Sequence, residues 1–202
     1  MWWSRGQVGR RGPGNTGTRG FTLLELMIVV ALLAVSLSLV APSMSGLIQD
    51  NRQVSAVYAL RATLNLARSE ALAQRQFVEV CGTDTAGTGC SGDADWSRGY
   101  LAFVDLDGDA TLDAGELLHH EPLEATTVSI TFDRPRVRFD TSGTSLAADG
   151  TLAAGTFVFC DQRGTASARA LLIQPSGAVV SAVDGGDEGD IVDDVAGNDV
   201  SC

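Results

Sequence analysis

The sequence predicts an α+β chain, with a long N-terminal helix, half apolar and half amphipathic, packed on an antiparallel β-sheet head. Three observations lead there. Leu26 to Ala41 contains no charged residue. From about Ser45 to Arg75, apolar residues recur at spacings of three and four. Beyond Gln76 the pattern changes to short alternating runs bounded by Gly, Asp, Ser or Pro, and no second helical pattern follows.

The first element, residues 1–20, carries Arg5, Arg10, Arg11 and Arg19 and no acid. Basic flanks of a membrane segment stay in the cytoplasm, so this leader belongs inside and everything after Pro42 belongs outside the inner membrane. Residues 21–42 form the expected transmembrane helix. From Phe21 to Ala41 a helix reaches about 30 Å, the thickness of a bilayer core. One carboxylate, Glu25, lies inside it. An acid there costs a few kcal/mol, on the order of the insertion penalty, unless a cation neutralises it. A cut between Gly20 and Phe21 creates such a cation, an α-amine four residues from Glu25. In a helix bundle, the amine of one subunit meets Glu25 of its neighbour. An ordinary secretory signal has a shorter apolar core and a small-residue cleavage site, and this segment has neither.

Residues 43–76 form the amphipathic helix. Val54, Val57, Leu60, Leu64, Ala67 and Ala71 make its apolar stripe, while Arg52, Arg61, Arg68 and Arg75 fall elsewhere on the wheel. The head, residues 77–183, offers strands at Phe77–Val80, Gly99–Val104, Thr127–Phe132, Arg136–Phe139, Thr156–Phe159 and Ala170–Ile173. The end, 184–202, holds seven acids, four Gly and no base, and reads as a mobile acidic tail unless Cys202 staples it.

Composition fits an exported domain. Net charge is -11, and without the four leader arginines 10 Arg stand against 25 acids, or -15. Such a surface repels nucleic-acid backbones. Cys81, Cys90, Cys160 and Cys202 all fall on the oxidising side and read as disulfides. Four cysteines permit three pairings. Cys81 with Cys90, which closes a short loop, and Cys160 with Cys202, which ties down the tail, are preferred. No CxxC spacing supports a metal site.

The junction Gly20-Phe21 with Glu25 resembles the class III signal of type IV pilins and pseudopilins. That resemblance implies cleavage after Gly20 by a prepilin peptidase, N-methylation of Phe21, and a role for Glu25 in subunit assembly. Pro42 stands at the twenty-second mature position, where that family places a helix-kinking Pro. Further likeness is carried by Leu66-Ala67-Arg68-Ser69-Glu70-Ala71-Leu72-Ala73-Gln74-Arg75, by Trp96 with Gly99–Asp105, by Arg138-Phe139-Asp140-Thr141-Ser142-Gly143, by Cys160-Asp161-Gln162-Arg163-Gly164, and by Pro175-Ser176-Gly177. In this order they resemble the FimT/GspH-type minor pilins. The resemblance implies an inner-membrane subunit with a periplasmic head, extracted by an inner-membrane assembly platform. Together with other pilins it joins, primes or caps a type IV pilus or a type II secretion pseudopilus.

The alternative is a tip-located binding module for DNA, as in natural transformation, or for secreted cargo. Some relatives are implicated in DNA binding through basic residues near the C-terminus, but here Gly177 is followed by Ala178-Val179-Val180 and then acids. Arg134, Arg136 and Arg138 form the one basic cluster, flanked by Asp133 and Asp140, and read as a solvated strand face.

Candidate chemistry is confined to one loop. Asp105, Asp107, Asp109, Thr111, Asp113 and Glu116 stand at positions 1, 3, 5, 7, 9 and 12 of a calcium-type loop. Position 6, where the sharp turn calls for Gly, is Ala110, and the flanking helices are missing. Calcium is one reading and a solvated acidic turn the other. His119 and His120, adjacent in a strand, point to opposite faces and cannot share an ion. No GxSxG or paired acid and base supports an enzyme, and no other cofactor is expected.

Overall fold

The structure, a computed structural model, describes residues 20–123, 127–185 and 191–202, and of 38–43 the backbone alone. The leader arginines lie outside the described residues, and so does the side chain of Pro42. Helix α1 runs Leu23–Gln74. The chain divides into two compact units, one ending at Met44 and the other Ser45–Cys202.

In the first unit every described side chain from Phe21 to Leu37 is exposed. Among the described residues no helix is long and apolar enough to cross a membrane. The side chains of 38–43 are outside the described residues, and the sequence continues uncharged through Ala41.

In the second unit the spacing of apolar residues on α1 does what a period of 3.6 dictates. Leu60, Leu64, Ala67 and Ala71 are fully buried, with Ala56 and Val57 partly so. The strands that follow are β1 (Phe77–Gly82), β2 (Gly99–Asp105), β3 (Leu117–Pro122), β4 (Ser129–Phe132), β5 (Arg136–Phe139), β6 (Ser145–Leu146), β7 (Gly155–Cys160), β8 (Arg169–Ile173) and β9 (Val179–Ser181), and all but β6 share one apolar core with these helix residues. All pairings are antiparallel, in two sheets of order β3-β2-β1-β5-β6 and β4-β7-β8-β9. The chain changes sheet between β4 and β5, at Asp133-Arg134-Pro135, where Pro fixes φ and removes a ladder donor.

Register then decides which side chains meet. Val80 pairs with Ala102 and Val137, and these side chains enter the main core. The second sheet contributes Phe132, Phe157 and Phe159, and Trp96 sits edge-on to Phe157 at 4.7 Å between centroids. One residue along, Glu79 pairs with Phe103 and Arg138, so these side chains share the opposite face of the first sheet. That face carries a small second core of Cys81, Leu101 and Phe103, covered by Cys90 and Leu112.

Polar side chains of α1 fasten the helix to the second sheet and its β7–β8 connection. Gln53, fully buried, donates through Nε2 to the Phe159 carbonyl at 2.9 Å. Arg61 donates to the Val179 carbonyl at 3.0 Å. Asp50 accepts from Arg163 Nη1 at 2.8 Å, and Arg163 also clamps Asp161 at 2.6 Å. Disulfides join Cys81 to Cys90 and Cys160 to Cys202.

Candidate functional site

Gly20 and Phe21 precede α1 directly, and Phe21 is 80% exposed. Thr22 starts the helix: its Oγ1 accepts the Glu25 N–H at 3.2 Å and its carbonyl accepts the Leu26 N–H at 3.2 Å. This is half of a capping box, and Thr22-Leu23-Leu24-Glu25 carries the pattern in its sequence, a signal the charge argument passed over. Glu25 stands in the first turn, where the positive end of the helix dipole favours a carboxylate. Around it, Leu23, Leu24, Leu26, Met27 and Ile28 are all exposed.

The acidic loop joins β2 to β3. Of its six expected donors, Asp105, Asp107 and Asp109 have carboxylate oxygens within 4.8 Å of one another. The other three are drawn elsewhere or stay outside that group. Glu116, 4% exposed, accepts the Leu106 N–H through one oxygen and the Asp113 N–H through the other, both at 2.9 Å. Thr111 donates its hydroxyl to Asp109, which holds the Asp109 carboxyl below its usual range. Desolvation, followed by the charges of Asp109, Asp107 and Glu116, pushes Asp113 up. Ala110 adopts φ 60, the left-handed conformation that Gly takes without strain, at a cost of about 1 kcal/mol. Its carbonyl accepts from Arg136 Nη1 at 2.7 Å.

Beneath this loop, Arg138 bonds Glu79 and also Asp105 Oδ2 at 3.2 Å, and both carboxylates are shut off from solvent. Burial pushes the Glu79 carboxyl up from its ordinary value, against the opposing pull of Arg138. Arg134 donates to the Ala154 carbonyl at 2.9 Å and pairs with Asp133. Each member of the basic cluster on β5 and the turn before it is therefore engaged within the head. His119 and His120 lie in β3, an edge strand, with His119 Nε2 3.5 Å from Glu121.

Three sequence motifs that look independent meet at one point. Arg68, from the C-terminal part of α1, donates through Nε to the Gly143 carbonyl at 2.9 Å and through Nη2 to the Ser176 carbonyl at 2.9 Å. The Ser145 N–H donates to the Pro175 carbonyl at 3.1 Å and completes the knot. Helix end, Ser-Gly turn and Pro-Ser-Gly turn form a single structural unit.

A family model described as type II transport protein GspH matches residues 56–177, the span that contains this knot and every strand from β1 to β8. The chain belongs to the GspH family. A second family model, the prokaryotic N-terminal methylation motif, matches residues 15–41, across the Gly20-Phe21 junction and Glu25. Among solved structures, the chain is similar to the type IV minor pilin FimU of Pseudomonas aeruginosa strain PAO1, in space group P21. The TM-score is 0.50 at 26% identity, covering 65% of this chain and 88% of that one. The same protein in space group P65 gives 0.48 and 24%, covering 63% and 90%. No curated protein matches the chain. This GspH-family chain is accordingly a type IV minor pilin or pseudopilin, a structural subunit of a family that assembles with other pilins, and its N-terminal methylation motif implies processing by a prepilin peptidase.

Proposed function

We propose that the protein is cut after Gly20 by a prepilin peptidase, methylated on Phe21, and held in the inner membrane as a single-pass subunit with its head in the periplasm. An assembly platform then moves it into a type IV pilus or a type II secretion pseudopilus, which it joins, primes or caps. The observation that carries this reading is the rod of exposed apolar side chains from Phe21 to Leu37 with one charge, Glu25, in its first turn. A continuous apolar surface of that size is covered by lipid or by other helices in a working protein.

The mechanism rests on charge pairing in a low-dielectric surrounding. Cleavage frees the Phe21 α-amine, and N-methylation leaves it a cation. In a filament the helices lie side by side, and the amine of an incoming subunit pairs with Glu25 of its neighbour. Attraction between the two groups grows as lipid and packed helices exclude water, while either charge left alone is penalised. Register between subunits follows from that pairing.

Mass spectrometry of the native protein tests the first step: the mature chain begins at N-methyl-Phe21. An intact Met1, or trimming at any other bond, rules the reading out. Glu25→Ala tests the second: cleavage continues, and recovery of the subunit in sheared pili or pseudopili falls. Normal incorporation of that variant removes Glu25 from the mechanism while leaving the processing step standing.

A further inference from the structure

Residues 191–202 form a small hairpin laid over the outward face of the second sheet. Within the hairpin, Val200 N–H donates to the Val192 carbonyl at 3.1 Å and Asp194 N–H to the Asn198 carbonyl at 2.8 Å. The Asp194 carboxylate caps the turn by accepting the Ala196 and Asn198 N–H groups at 2.8 and 3.0 Å. The segment is thus largely satisfied by itself.

At least three hydrogen bonds tie it to the rest of the head. Asp193 N–H reaches the Val183 carbonyl at 3.2 Å, Val195 N–H reaches Thr156 Oγ1 at 3.1 Å, and Cys202 N–H reaches Thr165 Oγ1 at 3.3 Å. Val200 is the one buried side chain of residues 191–202. Between hairpin and sheet lies a cleft of about 330 Å³, whose lining includes Asp133, Asp194 and Asp199 and no basic residue. Asp133 is held on the sheet side by Arg134 and by the Thr156 N–H at 3.0 Å, and Asp194 is occupied by its own turn. The Cys160–Cys202 bond spans a sequence separation of 42 and anchors its end.

We propose that this disulfide is the latch of a redox-operated strap: when it is reduced, residues 191–202 leave the sheet and uncover Thr156 and Val158, while the rest of the head stays folded. The two sulfurs differ in access, since Cys202 is exposed and Cys160 is 7% exposed. An external dithiol of the CxxC class attacks the Cys202 sulfur through its thiolate, forming a mixed disulfide and releasing the Cys160 thiolate, which takes up a proton. The second thiol of the reductant then displaces Cys202. The reductant leaves as its own disulfide, having supplied two electrons and two protons. In the other bond Cys81 is fully buried and Cys90 half-buried, so neither of its sulfurs is as open as that of Cys202.

The test uses the processed full-length protein in detergent. Hydrogen exchange is measured by mass spectrometry on the native chain, on the Cys160→Ser/Cys202→Ser variant, which keeps the Cys81–Cys90 bond, and on the native chain treated with dithiothreitol. The expected result is a loss of protection of roughly tenfold or more in residues 191–202, with β1 and β2 unchanged. After brief reduction, iodoacetamide labels Cys160 and Cys202 before Cys81 and Cys90. Unchanged exchange in 191–202 overturns the proposal, because the hairpin then holds itself. Loss of protection throughout β1 and β2 overturns it too, since the bond is then a staple for the whole head. Labelling of Cys81 and Cys90 first removes the claim of selective access.

Discussion

Gly177 packs its backbone directly on the carbonyl of Gly143. A Cβ at position 177 would overlap the Gly143 oxygen and lie 3.0 Å from its carbonyl carbon, and Gly177 also has φ +76, a conformation L side chains rarely adopt. Both features act against any side chain. Gly177→Ala is therefore expected to destabilise the head by on the order of 3 kcal/mol, read as a fall in melting temperature of about 2 to 4 °C per kcal/mol. Gly143→Ala, whose Cβ meets the flexible end of Leu72 at 3.1 Å, is expected to cost less despite its φ of +74. Equal melting temperatures for Gly177→Ala and the native chain would contradict the close approach.

Arg138 neutralises two carboxylates that have no access to water, Glu79 and Asp105. Arg138→Met keeps the stem and removes the charge. The loss is expected to be about 3 to 5 kcal/mol, the usual cost of stranding a buried charge, measured by chemical denaturation. The same substitution at Arg98, whose partners Asp93 and Asp95 are about half exposed, is expected to change stability by less than about 1 kcal/mol.

Acid and base act on different carboxylates. Asp95, held down by the Ser97 hydroxyl and N–H, and Asp161, held down by Arg163, have folded values below the ordinary 3.8. Their contribution is present above that value and is lost as pH falls through the lowered range. Glu79 has the opposite sign: raised from 4.5 by burial, it favours the folded state when protonated, and that contribution fades as pH rises above 4.5. The difference in melting temperature between Glu79→Gln and the native chain should therefore move in favour of the variant from about pH 4 to about pH 7. A difference independent of pH would show that Glu79 titrates normally.

Calcium is expected to leave the melting temperature unchanged at millimolar concentration. Both Glu116 oxygens already accept backbone N–H groups, and Asp105 is committed to Arg138 and to the Gly108 N–H at 2.9 Å. A rise of several degrees would show that Asp105, Asp107 and Asp109 take an ion. Ala110→Gly, which removes left-handed strain at φ 60, is expected to stabilise the loop by a few tenths of a kcal/mol after the entropic cost of Gly, about 0.5 kcal/mol or more, is subtracted.

Much of the fold was legible because periodicity is local. Leu60, Leu64, Ala67 and Ala71 announce a helix face, and Phe77–Val80 or Thr156–Phe159 announce strands, without reference to the rest of the chain. β3 was harder, since Leu117-Leu118-His119-His120-Glu121-Pro122 does not alternate, and β6 has two residues. The division into two sheets depends on pairings such as Val80 with Val137, which no local pattern encodes. At the candidate site, Glu25 stood out by charge and position, and Gly20 and Phe21 by their resemblance to the pilin signal. The partners of Arg61 and Arg68 did not, because an arginine off the apolar stripe reads as a solvated side chain until the carbonyls it reaches are placed in space.

Gln53, Arg61 and Arg68 bind the helix to backbone carbonyls at three successive heights along its axis. A pull directed down that axis loads the three attachments side by side instead of peeling them open one after another. Bonds loaded together resist more than bonds opened in turn, so this stretch of helix is hard to slide lengthwise off its strands.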